Sequence, residues 1–226
     1  MTGPHGRAET ADRGQRVYDW WSRHRFARHL LYAVAFSGRE RTFRRRGVDA
    51  LSLAPGESVL ELGCGPGSNF ERLRDAVGES GHVVGVDYSA GMVEQARTRA
   101  AEWHNVHAVR GDGTALPVAD DTFDAAYAAM SLTAMPDVTT ALREAAAALR
   151  PGGRIAVLDA GRFQRFPLTL LNPLTDRLFA LTTNWNPEQD VPRALDSVFP
   201  ESSVTRYNGG TILVGTARTA ADEHPE

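Results

Sequence analysis

Apolar positions fall into two regimes along the chain. From Arg13 to about Val48 they recur at three- and four-residue spacings, through Val17, Trp20, Trp21, Leu30, Leu31, Ala33, Val34 and Phe36, with Ser37-Gly38 as a break. Side chains so spaced share one helical face, which predicts two helices ahead of any sheet. Beyond them the period shortens. Five brief apolar runs, Ser58–Leu62, His82–Val86, Val106–Arg110, Phe123–Tyr127 and Arg154–Leu158, are separated by turns or helical stretches and read as strands. The helical stretches cover 69–76, 90–102 with Ser89 as N-cap, and 138–149, the last closed by Arg150-Pro-Gly-Gly153. Strands alternating with helices predict an α/β fold: a Rossmann-like, mostly parallel sheet with helices on both faces. After Asp159 about forty residues rich in Phe, Leu, Pro and Thr lead to two more strands, 203–207 and 211–215, around Gly209-Gly210. A two-glycine turn predicts a hairpin, so the seventh and last strand enters antiparallel.

The first strand ends in alternating glycines, Gly63-Cys-Gly65-Pro-Gly67-Ser-Asn69, and runs straight into a helix. Glycines let the backbone turn tightly while its amides approach a ligand. Asp87 closes the second strand 20 residues beyond Gly67, where a carboxylate can accept from both hydroxyls of a ribose. A nicotinamide-dependent oxidoreductase is the rival for such a site. Its fingerprint needs a glycine at 68, where Ser68 stands, and Glu61 just before the glycines is expected to repel a pyrophosphate. Asp112-Gly113 follows the third strand and is placed to reach an adenine amino group.

Four ordered segments then resemble the class I S-adenosylmethionine-dependent methyltransferases. They are LELGCGPG ending at Gly67, GVDYSAGMVEQAR at 85–97, GDGTALPVADDTFDAAY at 111–127 and LRPGGRIAVLD at 149–159, together covering roughly 55–160. The resemblance implies S-adenosyl-L-methionine as cofactor, with Gly63, Gly65 and Gly67 at its methionine moiety and Asp87 on the ribose. It further implies Met92 against the adenine face, Asp112 and Gly113 at the adenine edge, and Tyr88 as a stacking candidate. Glu61, Asn69 and Met130 are counted in the same set. Within the family, Tyr18-Asp19, Tyr207-Asn208 and the LRPGG strand resemble methyltransferases of ubiquinone and menaquinone biosynthesis. The early Tyr-Asp and the LRPGG strand are shared with bacterial phosphatidylethanolamine N-methyltransferases. After the fourth strand the quinone enzymes tend to carry an Arg-Asn pair; this chain reads Ser131-Leu-Thr-Ala-Met-Pro136, a texture closer to the phospholipid branch.

Composition narrows the remaining possibilities. With 226 residues, 42% hydrophobic, the chain can bury one substantial core. The expected organisation is a single domain over 13–218 between tails at 1–12 and 219–226. It divides into an N-terminal helical cap (13–50), a cofactor-binding core (55–160) and an acceptor-side insertion (160–200). The lone Cys64 makes no internal disulfide, and scattered histidines give no metal-ligand spacing. The absence of a long apolar run or an apolar leader suggests a cytoplasmic protein. Net charge is −3, yet residues 1–50 hold eleven arginines against five acidic side chains, a local balance of +6. That asymmetry admits peripheral membrane contact through the N-terminus. It is the only motive for a nucleic-acid substrate, and no base-flipping motif accompanies it.

The acceptor is read from the parts that vary around such a sheet. Tyr18, Trp20 and Trp21 interleave with cations, a texture suited to an amphiphile, and Asp159 at the end of the fifth strand faces the same edge. Residues 163–183 are apolar enough for a lid, an acceptor pocket or plain core. His24, His29 and Tyr207 are the candidates for a general base, should one be needed. The expected activity is methyl transfer to a small lipophilic or amphipathic acceptor: a quinone, a phospholipid or an aromatic natural product. A fold relative that binds the cofactor for another purpose is the second alternative.

Overall fold

The computed structural model describes residues 38–221 together with positions 17, 19–24, 26, 27, 30, 31, 33 and 36. Its elements follow in the order α1 (Glu40–Asp49), β1 (Ser58–Leu62), α2 (Phe70–Val77), β2 (His82–Asp87), α3 (Ala90–Ala100), β3 (Val106–Arg110) and β4 (Phe123–Ala129). Then come α4 (Val138–Ala148), β5 (Leu149–Ala160), α5 (Asn172–Thr183), α6 (Val191–Val198), β6 (Glu201–Tyr207) and β7 (Ile212–Arg218). The seven strands form one sheet in the order β3-β2-β1-β4-β5-β7-β6. β1 to β5 run parallel, while β7 lies antiparallel to both β5 and β6. The hairpin expected around Gly209-Gly210 is therefore present.

Both faces of the central strands are buried, so apart from Ser58, Glu61 and Asp124 β1 and β4 are apolar throughout. Their side chains alternate between two cores. Val59, Tyr127, Ala156 and Leu158 join Phe43 of α1 and Phe70 and Leu73 of α2 on one face. Leu60, Leu62, Val157 and Leu213 join Leu142 of α4 and Leu195 of α6 on the other. Four alanines in β4 keep that strand thin enough for helices to approach closely. Gly47 does the same from the helix side: a Cβ there would lie 2.6 Å from the Tyr127 hydroxyl, which donates to the Arg44 carbonyl at 3.3 Å. Helix starts are set by local chemistry. Ser89, Asp137 and Asp190 accept from the backbone N–H groups of Met92, Thr140 and Arg193 at the heads of α3, α4 and α6.

Two boundaries differ from expectation. The segment 160–200 is not one insertion, because Val191, Ala194 and Leu195 of α6 are buried in the second core while the end of α5, with Asn184 and Trp185, borders the sheet's carboxyl edge. The C-terminal tail also begins later than 219. Thr219 N donates to the Gly153 carbonyl at 2.9 Å, and Gly152 N donates to Ala220 O at 2.8 Å. Residues 1–12 and 222–226 lie outside the described residues, as do Tyr18 and His29. No helix among the described residues is long and apolar enough to cross a membrane.

Candidate active site

The strand order places β1 beside β4, with the chain winding away from that pair in both directions. A crevice opens beyond the carboxyl ends of two such strands. The chain enters it from β1 through Gly63, Gly65 and Gly67, at φ of 64°, 54° and 72°, a region that strains any residue with a side chain. Gly63 N and Cys64 N both donate to the Val86 carbonyl, at 2.8 and 3.1 Å, and stitch the loop to β2. A Cβ on Gly65 would meet nothing within 4 Å. This glycine opens onto a cavity of about 960 Å³.

Asp87 borders the same cavity and braces the loop. Its Oδ2 accepts from Gly65 N at 2.8 Å, and its Oδ1 from Ser89 N at 2.9 Å. A carboxylate oxygen carries two lone pairs, so each keeps one acceptor site for a ligand. Burial pushes this carboxyl up to about 6; the two N–H groups pull it down, and the Asp19 carboxylate pushes it further up. Met92, which is buried, and the more open Tyr88, Asp112 and Gly113 line the wall beyond Asp87. Asp112 Oδ1 accepts from both the backbone N–H and the hydroxyl of Thr114 at 2.8 Å, which fixes that turn.

The opposite wall is Met130, Ser131, Met135 and Pro136. Met130 has φ of 58°, an uncommon backbone for such a residue. The resulting bend lets the Ser131 hydroxyl donate to the Leu62 carbonyl at 2.8 Å. Across the mouth, residues 19–23 run from α3 to α5. Ser89 Oγ donates to Asp19 Oδ1 at 2.6 Å, Gln95 Nε2 to the Ser22 carbonyl at 2.6 Å, and Trp21 Nε1 to the Thr182 carbonyl at 2.5 Å. Trp21 is thereby buried against the cavity.

Asn69 also lines the cavity. Its amide donates to Glu61 Oε1 at 2.5 Å and its carbonyl accepts from Arg44 Nη1 at 3.3 Å. Glu61 itself lies behind the loop, 1% exposed, and does not line the cavity. Burial pushes its carboxyl up to about 8, against the Asn69 hydrogen bond and the nearby Arg44 charge. It does not face the cavity, contrary to the expectation that it stands against a pyrophosphate there; its visible role is to hold Asn69.

Three other expectations separate on inspection. Trp20 is 44% exposed and stacks on His24 with ring centroids 3.9 Å apart, and His24 Nδ1 donates to the Trp20 carbonyl at 2.8 Å. Neither lines the cavity. Tyr207 packs on the Phe43 ring at 5.3 Å, with the Arg46 guanidinium 5.0 Å from its own ring, and lines no cavity. His24 and Tyr207 are thus not placed as general bases.

Asp159 is fully buried and spends its oxygens inward. It accepts from Thr133 Oγ1 at 2.6 Å, Thr133 N at 3.2 Å and Ala160 N at 2.7 Å, and burial holds its carboxyl above the ordinary carboxylate range. It borders a second chamber of about 60 Å³ that shares Leu31, Met130, Ala134 and Thr183 with the main cavity. Trp185 lines this chamber, and its indole N–H is shielded with no partner among the described residues. A buried donor left unpaired costs about 1–3 kcal/mol. The sequence reading missed Trp185, Met135, Arg41 and Arg72, all of which border these spaces. A lone Trp among asparagines, or arginines on helix faces, carry no period or spacing that marks them.

Residues 59–153 match the family model of the methyltransferase domain. The methyltransferase match thus takes in the glycine loop, Asp87 and Asp112, while the N-terminal segment and α5 lie outside it. Over 122 residues the chain is 33% identical to demethylmenaquinone methyltransferase of Staphylococcus saprophyticus, covering 54% of this chain and 52% of that protein. Over 128 residues it is 38% identical to 2-phytyl-1,4-naphtoquinone methyltransferase of Synechococcus elongatus, covering 55% of each. The chain spans about half the length, or less, of the curated relatives it matches. A structure of geranyl diphosphate methyltransferase in complex with GPP and sinefungin superimposes with a TM-score of 0.66 at 18% identity, over 79% of this chain and 77% of that one. The fold is that of the class I, Rossmann-like methyltransferases.

Proposed function

We propose that this chain is an S-adenosylmethionine-dependent methyltransferase acting on a small lipophilic acceptor, with a reduced naphthoquinone-like ring as the first class to test. The observation that carries the cofactor assignment is Asp87, held by two backbone N–H groups beside a glycine whose missing side chain leaves the cavity open. Those residues suit a nucleoside bearing a zwitterionic tail. Asp87 would accept from the ribose hydroxyls, Met92 and Tyr88 would cover the adenine, Asp112 would face its amino edge, and the loop from Gly63 to Gly67 would lie along the methionine. Bound there, the cofactor supplies an electrophilic methyl group on a sulfonium.

The acceptor side is supported by apolar residues, Trp21, Leu31, Met130 and Met135, opposite the polar Asp87 wall, and by the named quinone substrates of two relatives. No histidine lines the cavity among the described residues. The acceptor itself supplies the nucleophile, as an electron-rich hydroquinone or phenolate does, and the protein's part is to aim it and exclude water. Two measurements test this. S-adenosylhomocysteine should bind the folded protein by calorimetry in preference to NAD(H) or NADP(H). Labelled S-adenosylmethionine with a panel of reduced naphthoquinones, phenols and phospholipids should give one S-adenosylhomocysteine per methyl transferred. Absence of nucleotide binding would remove the cofactor assignment, and binding without turnover on any acceptor would favour a fold relative with another role.

A further inference from the structure

Ten large apolar side chains are exposed among the described residues, and nine of them fall in two short segments. Three lie between Trp20 and Leu30, and six between Phe166 and Leu178, of which Phe166, Leu170 and Leu174 are 81%, 70% and 68% exposed. Leu170, Leu174 and Leu178 are spaced four apart along α5 and the turn before it, so they share one face. The two segments meet where Trp21 Nε1 donates to the Thr182 carbonyl at the end of α5. Phe179 and Thr183, on the same helix, border the two cavities. The exposed face thus belongs to the helix that also borders the site.

Cations are interleaved with these residues along the chain. Arg23, Arg165 and Arg177 are exposed, and none forms an ion pair among the described residues. Arg162 is paired with Asp176. The first fifty residues carry the +6 balance noted above in a chain of net charge −3. An apolar face with a cationic rim is the make-up of a helix that lies in a membrane interface and meets anionic head groups. A second copy of this chain fits the face poorly, because a two-fold contact would set its arginines against themselves. At 12 residues α5 is too short to span a bilayer.

We propose that the exposed face of α5, with Trp20, Phe26 and Leu30, docks on an anionic lipid surface. The leucines and Phe166 enter the head-group boundary and the arginines meet lipid phosphates. This places the cavity rim at the membrane, where a lipophilic acceptor partitions; that consequence rests on the methyltransferase reading, whereas docking itself rests only on exposure and charge.

The test is co-sedimentation of the full chain with vesicles of phosphatidylglycerol and phosphatidylcholine (1:1) or phosphatidylcholine alone. Binding to the anionic vesicles should be at least about five-fold stronger and should weaken with salt. Leu170→Glu/Leu174→Glu/Leu178→Glu should reduce it about ten-fold or more, with melting temperature and S-adenosylhomocysteine affinity retained. Arg165→Glu/Arg177→Glu should abolish the anionic preference. Absence of vesicle binding, or binding unaffected by the triple variant, would overturn the proposal. So would a concentration-dependent dimer lost in the triple variant without vesicle binding, which would make the face a self-association surface. Calorimetry on the same samples keeps failure here distinct from failure of the cofactor site.

Discussion

The affinity for S-adenosylhomocysteine should fall as pH drops through about 6, and Asp87 should be the cause. Its carboxyl titrates at about 6 because burial outweighs the N–H groups of Gly65 and Ser89. Only the ionised form offers a free acceptor site on each oxygen for the two ribose hydroxyls. With that midpoint, about 97% of the carboxyl is ionised at pH 7.5 and about 9% at pH 5. Affinity should therefore drop roughly ten-fold across that interval, about 1.4 kcal/mol. Loss of the fold does not mimic this effect. A carboxyl raised in the folded state stabilises fully below its unfolded value and loses that contribution as pH rises through about 6, so acid favours the fold at this group. Calorimetric titration from pH 5 to 7.5 measures the slope, and Asp87→Ala supplies the control. The variant should bind more weakly by about 1.5–3 kcal/mol at pH 7.5, the scale of hydrogen bonds to a charged group, and should show a flat profile. A wild-type affinity that does not change with pH, or a variant with the same slope, would refute the assignment of Asp87 to the ribose.

Gly65→Val should abolish cofactor binding, because its methyl groups would project into the open cavity and its backbone would be strained at φ of 54°; thermal shift with S-adenosylhomocysteine checks it. Trp21→Ala should raise the Michaelis constant for a lipophilic acceptor several-fold, since Trp21 lines the cavity, while Trp20→Ala should leave it unchanged, since Trp20 is exposed. Equal effects from the two would mean the segment is a packing element only. Arg154→Leu should destabilise the fold by about 1–3 kcal/mol in chemical denaturation. Arg154 is largely buried, grips both oxygens of Glu57 at 3.0 and 2.6 Å and also meets the Leu51 and Ser52 carbonyls, so its loss leaves Glu57 uncompensated.

The sequence by itself determined the alternation of strands and helices and the chemistry at strand ends. A buried strand needs a short apolar run, a helix start needs a Ser or Asp such as Ser89 or Asp137, and a tight turn against a ligand needs glycine, as at 63, 65 and 67. Each of these is local, so each leaves a mark at fixed spacing. The hairpin around Gly209-Gly210 was legible for the same reason. What only tertiary structure decided is which side chains from distant segments converge. Trp21 and Trp20 are adjacent and alike, yet a hydrogen bond to Thr182, 161 residues away, buries one and leaves the other outside. His24 and Tyr207 have the chemistry of a base, but stacking on Trp20 and packing on Phe43 keep them from the cavity. Charge is equally a matter of surroundings. Glu61 reads as an anion facing the loop, and only its burial behind Asn69 takes it out of the cavity and pushes its carboxyl up to about 8. The same holds for α5 and α6, two apolar helices of similar texture. One packs against α4 in the core and the other leaves its leucines exposed at the rim of the site. Apolar spacing specifies that a helix has a face; only the packing of the whole chain decides what that face meets.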